Sequence, residues 1–490
     1  MVSFGRREEL VSARRAAGLT QEKLAEVMRV DRSTVIRWEA GDFAPLPYQW
    51  PKLARVLGRS TDELRELIDV RLVPGVSALG SELEPAFGWL DRHARWAPGT
   101  TRARVEARAP ADRRVSPPAG RSRVAEALAG YYGDPAPGYS MYQARCGQVE
   151  VATSVLTRPE WTDLACLLTS QTDRIVLQAN VQWPRQVVDG GAAVRRLAEA
   201  AAHDVRIADV PLYRLFEVEA RPDAIVGKVG LVPFVEYALS VDLLERELGE
   251  SLATGQPGGM SLRDKYLPDL AAVLDLPGRL CAGGVLALTA IARPADPFRG
   301  EADYLLLVQE RSGHVVNAAR RLAVIPKSFH GPLADHHADA RIGATLRREL
   351  EKELFGRADL DRTIGVQRAA DPMHPSRLSA PMRWLTERPG RLRLECTGFG
   401  FNLVSGNYEF ASLVVIEDEE FWPRFGGHVE ANWEAAGLRQ YSTLDGDLIT
   451  ELVGDKSWSN EGLFAFLQGL RRLAEIGGNR VRIPAIELGC

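Results

Sequence analysis

Arg32 and Arg37 share one short stretch with Ser33 and Thr34, and a guanidinium fork can bond O6 and N7 of a guanine together. Such chemistry needs a rigid rod with the arginines on its outer side, and the surrounding residues predict one. Thr20 is placed to cap a helix running from Gln21 to Met28. Leu24, Ala25 and Met28 fall on one face of it at helical spacing. Arg29-Val30-Asp31 then breaks the pattern, and Asp31 can cap a second helix beginning at Arg32. In that helix Val35 and Trp38 point inward, leaving Arg32, Ser33 and Arg37 outward. Gly41 can supply the positive φ that ends it, and Leu53, Leu57 and Leu64 can close a small core. Two helices at a large angle, the second offering its N-terminal residues to base edges, form a major-groove reader. The plainer alternative is a small helical interaction module with a solvated arginine face.

A second set of residues has the types for metal or phosphate chemistry. Glu349 and Glu353 share one face of a helix predicted over Gly343–Leu354, so both can approach one cation. Lys352 stands between them, and its ammonium repels Mg²⁺. The competing expectation is a surface charge ladder, Glu349 with Lys352 and Glu353 with Arg357. Arg320, Arg321, Lys327 and His330 gather around a strand-to-helix loop, where they either meet phosphates or are loop surface. His336 and His337 with Asp335 and Asp339 have metal-ligand types, but adjacent histidines cannot easily face one ion in regular structure. Ser405-Gly-Asn-Tyr-Glu409 lines a pocket mouth or makes a polar turn.

The stretch Ala17–Gly41 resembles the helix-turn-helix regulators related to phage lambda and 434 repressors and Cro, the XRE family. The likeness rests on Leu19-Thr-Gln21, Leu24-Ala25, Ser33-Thr-Val35 and Trp38-Glu-Ala-Gly41 and covers roughly residues 6–68. It implies that Gln21 holds a phosphate, that Arg32, Ser33 and Arg37 meet bases, and that Thr34 meets a base or phosphate. One such head makes few contacts, so a homodimer on double-stranded DNA is expected. Farther on, Tyr304–Val308, Leu322–Pro326 and Arg348-Glu-Leu-Glu-Lys-Glu-Leu354 resemble a Nudix domain, a family whose glutamates hold magnesium against a diphosphate. Arg348, Glu349, Leu350 and Glu353 match. Lys352 replaces a metal-binding glutamate and Phe355 a glycine, Ala334 and Ala340 fill the upstream glycine and glutamate positions, and Lys327-Ser328 replaces a glycine pair. The departures predict a sensor of a nucleotide or sugar phosphate with no cofactor. The alternatives are a Nudix hydrolase tethered to DNA and a DNA-bound protein scaffold.

The elements that must position these residues give a multidomain chain: an all-α helix-turn-helix head, then a mixed α/β region ending in a Nudix-like α/β domain. The expected divisions are 1–70 for the head, 71–123 for a Pro/Ala/Arg-rich linker, 124–279 for an α/β intermediate domain of unassigned role, and 280–490. Strands are predicted at Val149–Leu156, Arg174–Ala179, Ile225–Val232, Val285–Ala292, Tyr304–Val308 and Ala411–Glu417, and helices at Ala192–Ala202, Val235–Leu248 and Asn460–Ile476. With 490 residues, 45% hydrophobic and 26% charged, the chain has material for several cores. A net charge of −4 means that any nucleic-acid affinity must come from a local basic face. Five scattered cysteines without a C-x-x-C pair argue against a disulfide framework or zinc site. Neither a membrane span nor a signal-peptide core is seen, so a cytoplasmic location is expected.

Overall fold

Four short helices each turn two or three apolar residues to a common centre: α1 (Glu8–Ala16), α2 (Gln21–Met28), α3 (Arg32–Ala40) and α4 (Trp50–Leu57). Leu10 and Ala13 meet Leu24, Ala25, Met28, Val35, Trp38, Leu53, Ala54 and Leu57, and Leu64 completes the cluster. The Thr20 hydroxyl accepts from the Lys23 amide at 3.1 Å, the cap expected for α2. Gly18 makes the tight turn before it at φ +70°, where a side chain is strained. Asp31 and Gly41, expected to begin and end α3, and the Ser33 side chain lie outside the described residues. The computed structural model describes residues 7–28, 30, 32–40, 45, 50–59, 64, 83–108, 119–178, 187–203, 205, 207, 210–255, 259–313, 315, 318–357, 371–426, 429 and 435–489. The chain divides into two units, 1–79 and 80–490.

The larger unit is built on a mixed sheet. Its strands are β1 (Ser140–Cys146), β2 (Val149–Thr157), β3 (Cys166–Leu167), β7 (Gly283–Arg293), β8 (Asp303–Arg311), β9 (Leu322–Val324), β10 (Lys327–Phe329), β11 (Leu392–Asn402), β12 (Asn407–Ile416), β13 (Ala435–Ser442) and β14 (Ile486–Leu488). The order is β13-β8-β7-β12-β11-β2-β1-β14, with β9, β10 and β3 pairing β8, β7 and β11. At its centre β7 and β12 run parallel from Gly283 opposite Tyr408 to Ile291 opposite Ile416. Both strands read as near-continuous apolar runs because both faces are covered. Alternate residues of β7 go to opposite sides. Leu286, Leu288, Ala290 and Ala292 pack with Leu463, Phe464, Leu467 and Leu470 of the long helix Asn460–Ile476. Val285, Ala287 and Ile291 share the other core with Ile342 and Leu346 of the helix Ile342–Glu349. A second sheet, β4 (Asp173–Leu177), β6 (Ala224–Pro233) and β5 (Pro211–Arg221) in that order, contributes Ile175, Leu215 and Val229 to that side. Gly283 is where the parallel pair closes up, since a Cβ there would sit 2.0 Å from the Tyr408 carbonyl oxygen.

Three expectations change. Within the span expected as a linker, α5 (Glu84–His93) and α6 (Thr100–Arg108) are helices that put Ala86, Phe87, Leu90 and Val105 into the core. Buried Asp91 joins them, accepting from the Gly99 amide at 2.7 Å and from the Thr101 amide and hydroxyl at 2.8 and 2.6 Å. Of the described arginines on and between these two helices, Arg92, Arg95, Arg104 and Arg108 are exposed on the outer face and Arg102 is half-buried. Arg102 pairs with Glu84 and Glu106, and Arg104 lies 4.0 Å over the Trp96 ring. The division expected at 279/280 is crossed by one sheet, because β1 and β2 pair into the same ladder as β7 to β12. The helix expected over Val235–Leu248 is two, Phe234–Ala238 and Leu243–Thr254. No described helix is long and apolar enough to cross a membrane.

Phe464 is fully buried and meets the Tyr142 ring edge-on at 4.8 Å. Phe464→Ala should lower stability by ~3–5 kcal/mol in urea unfolding of the full chain, as expected for an aromatic cavity between a sheet and its covering helix.

Candidate nucleic-acid interface

The helix-turn-helix is held by a buried ion pair. Leu10, Ala13 and Arg14 recur at helical spacing on α1, as do Val35, Trp38 and Glu39 on α3, so the charged pair continues the two apolar faces inward. The Arg14 Nε donates to Glu39 at 2.5 Å and its Nη2 at 3.3 Å, while Nη1 donates to the Leu19 carbonyl at 2.7 Å. Both side chains are buried. Glu39 also accepts from the Gln21 amide nitrogen at 2.7 Å, so one carboxylate ties together α1, the start of α2 and the end of α3. The pair escaped sequence reasoning, although the spacing that places it is visible in hindsight.

With that frame fixed, Val35 and Trp38 point into the core and Arg32 and Arg37 are exposed on α3. Thr34 is half-buried. The Arg32 Nε lies 2.6 Å from the Glu22 carboxylate, with both side chains more than half exposed. An exposed pair of this kind holds weakly against a competing phosphate or base edge. Arg32 also stands at the first turn of α3, where the helix dipole favours an anion. Gln21, expected to hold a phosphate, gives one N–H to Glu39; its amide nitrogen carries two.

The carboxylates of the second set turn to three different places. Glu349 accepts from Arg348 Nε at 2.8 Å and Lys352 Nζ at 3.3 Å. Glu351 accepts from the Ser379 hydroxyl at 2.6 Å and Arg357 Nη1 at 3.1 Å. Glu353 accepts from the Lys327 amide at 3.2 Å and, more distantly, from Gln309. All three are buried, so the expected ladder does not lie at the surface; its Glu349–Lys352 rung forms, while Arg357 pairs with Glu351 in place of Glu353. The reason is local: after Glu349 the helix passes into a π-turn over Leu350–Leu354, which shifts the phase of the following side chains. Burial alone would raise the Glu349 carboxyl, and Lys352 and Arg348 outweigh it and hold it low. Spent in this way, these groups do not fit a magnesium–diphosphate site. Among the described residues no cluster of His, Cys, Asp or Glu has the arrangement of a metal site.

The four cationic candidates do not converge either. Arg320 is exposed in a turn, Arg321 donates to the Ala119 carbonyl, and buried Lys327 pairs with Glu461. His330 is fully buried, its Nδ1 3.0 Å from the Tyr408 hydroxyl, and burial followed by the charge of Arg348 pushes its pKa down to about 3. Asp335 and Asp339 accept from backbone amides of their own loop, beside exposed His336 and His337. Of the stretch Ser405–Glu409, Asn407 opens β12 and donates to the Tyr237 hydroxyl at 2.9 Å. Glu409 is buried, and its carboxyl is pushed well up by burial and by Glu461.

Residues 10–64 match the family described as Helix-turn-helix, which supports a DNA-binding transcriptional regulator. Among the curated proteins none matches the chain.

Two predictions follow from these contacts. Glu39→Gln strands a buried guanidinium, so thermal melting should show a loss of ~3–5 kcal/mol in the N-terminal unit, whereas Arg32→Ala with Arg37→Ala should stay within ~0.5 kcal/mol. For His330, the unfolded chain gains a proton below its ordinary value of 6.5, while the folded chain resists until about 3. Stability should therefore fall across that window as pH drops, by on the order of a few kcal/mol. His330→Gln should flatten that part of the pH–stability curve.

Proposed function

We propose that the protein is a sequence-specific transcriptional regulator that enters the major groove with the N-terminal part of α3, binds as a homodimer to a two-fold operator, and responds to a small molecule held by its larger unit. The observation that carries the reading is the disposition of α3. Val35 and Trp38 are locked inward while Arg32 and Arg37 face solvent on the same helix, Arg32 beside the dipole's positive end. Arg32, Ser33 and Arg37 are the proposed base contacts, Thr34 a base or phosphate contact, and Gln21 a phosphate contact through its second N–H.

Residues 80–490 form a unit far larger than pairing two heads requires, which favours a role in sensing. A ligand acts there only if it favours one arrangement of the protein over another. The Nudix likeness survives in this proposal as a likeness of strand and helix order around Arg348-Glu-Leu350, with sensing favoured over hydrolysis because the glutamates are already engaged. A nucleotide or sugar phosphate is disfavoured as the signal, since Lys327 is committed to Glu461 and Arg320 stands apart.

Selection of sites from a random DNA pool by the full chain, at two salt concentrations, tests the reading. The expected result is paired half-sites about one helical turn apart and affinity that falls with salt. At a ~1–3 kcal/mol cost per lost arginine contact, Arg32→Ala with Arg37→Ala should lose at least ~30-fold in specific affinity. Equal binding by wild type and the double variant would sink the assignment.

A further inference from the structure

The larger unit contains a small cavity of about 110 Å³ whose polar lining is Arg121, Arg321, Glu245, Glu461, Asn402 and Asn460. Trp458 and Leu248 give it an apolar wall. The lining comes from elements far apart in the chain: the first turn of the helix Arg121–Tyr132, the helix Leu243–Thr254, the end of β11 and the N-terminus of the long C-terminal helix. Most of these groups are already answered. Glu461 pairs with Lys327 and accepts from Asn402 at 3.1 Å. Asn402 in turn accepts from Ser154, whose amide donates to Asn460 at 2.9 Å.

Two groups are not. Arg121 is 5% exposed and its Nη1 donates to the Ala152 carbonyl, yet its Nε meets no acceptor among the described residues. The charged group that bears on it most is the like charge of Arg321. The Glu245 side chain shows no hydrogen bond to a described residue; desolvation, then the charges of Asp242 and Glu461, push its pKa up to about 7, with Lys327 and Arg196 in partial compensation. A buried donor left without a partner is costly, and the half-buried Glu245 carboxylate adds a smaller cost of the same kind. They border one cavity and carry opposite charges, so a single molecule with an anionic and a cationic end answers both. At ~30 Å³ per water the space holds about three or four waters, or a molecule of roughly five or six non-hydrogen atoms.

From the cavity, its two unanswered groups and its size, we infer that this is a binding site for a small zwitterion, an α-amino acid with a short side chain, whose carboxylate meets Arg121 and whose ammonium meets Glu245. The inference deepens the ligand-responsive reading and rests on it only for the regulatory consequence; the site itself belongs to the larger unit alone.

Calorimetric titration of the full chain without DNA tests it, with glycine, L-alanine, acetate, methylammonium and inorganic phosphate as separate probes. Glycine or alanine should bind with a Kd on the order of 1 mM or tighter, and acetate, methylammonium and phosphate at least ~10-fold more weakly, each answering only one of the two unanswered groups. Glu245→Gln should weaken alanine binding by at least ~10-fold. Alanine affinity should rise with pH through about 7 as Glu245 ionises among Asp242, Glu461, Lys327, Arg196 and Arg321, and this dependence should vanish in the variant. No heat with either amino acid up to ~10 mM, equal binding of acetate or phosphate, or an unaltered Glu245→Gln titration overturns the proposal. Should that variant fail to fold, the wild-type probe series and pH profile decide alone. Operator affinity with and without alanine is read separately: binding without an effect on DNA leaves the site standing and removes its role as the signal.

Discussion

The parallel pairing of β7 with β12 sets the terms for the larger unit. Both strands are covered on both faces, so every polar group in the layer is cut off from water and must be answered by protein. Lys327 and Glu461 meet at the buried end of this layer, and a chain of hydrogen bonds through Asn402, Ser154 and Asn460 extends from them. Glu353 is drawn to the backbone of Lys327, while burial and the charge of Glu461 push the Glu409 carboxyl well up. In such a medium each satisfied contact is strong and each missing one is expensive, which is why the unanswered Arg121 Nε stands out.

Among its described residues, the smaller unit solves the same problem with the pair Arg14 and Glu39. Arg14 and Glu39 are buried because helical phase carries them inward beside Ala13 and Trp38. Arg32 and Arg37 are exposed because phase carries them outward from the same bundle. One residue type thus serves two purposes, and position on the helix decides between them. Holding α1, α2 and α3 together through Glu39 also fixes the direction in which the outer arginines are offered, which a groove reader requires.

Much of the architecture was legible from local pattern. The alternating and apolar runs at Val149, Ile225, Val285 and Tyr304 are strands, the periodic run from Asn460 is a helix, and Leu24, Met28, Val35 and Trp38 form the small core. What escaped was of three kinds. The arginines between 84 and 108 masked two amphipathic helices, because composition was weighed over the spacing of Phe87, Leu90 and Val105. The Glu349–Glu353 motif was read at α-helical pitch, and the π-turn rotates its later members away from the earlier ones. The charged pairs of the interior, Lys327 with Glu461 above all, join residues that no local window contains. The outer face of α3 was foreseen; the carboxylate that anchors it was not, since a lone Glu39 in sequence looks like any solvated charge.

Gly283 narrows the routes by which this protein can change. Its backbone lies so near the Tyr408 carbonyl that even a methyl group would collide with main chain, which cannot swing aside as a flexible side chain would. A lineage could enlarge the neighbouring side chains or rewrite the surface arginines one at a time, but replacement here forces two central strands apart in a single step. Descendants that keep the sheet should therefore keep this glycine even where the chemistry around it has been exchanged.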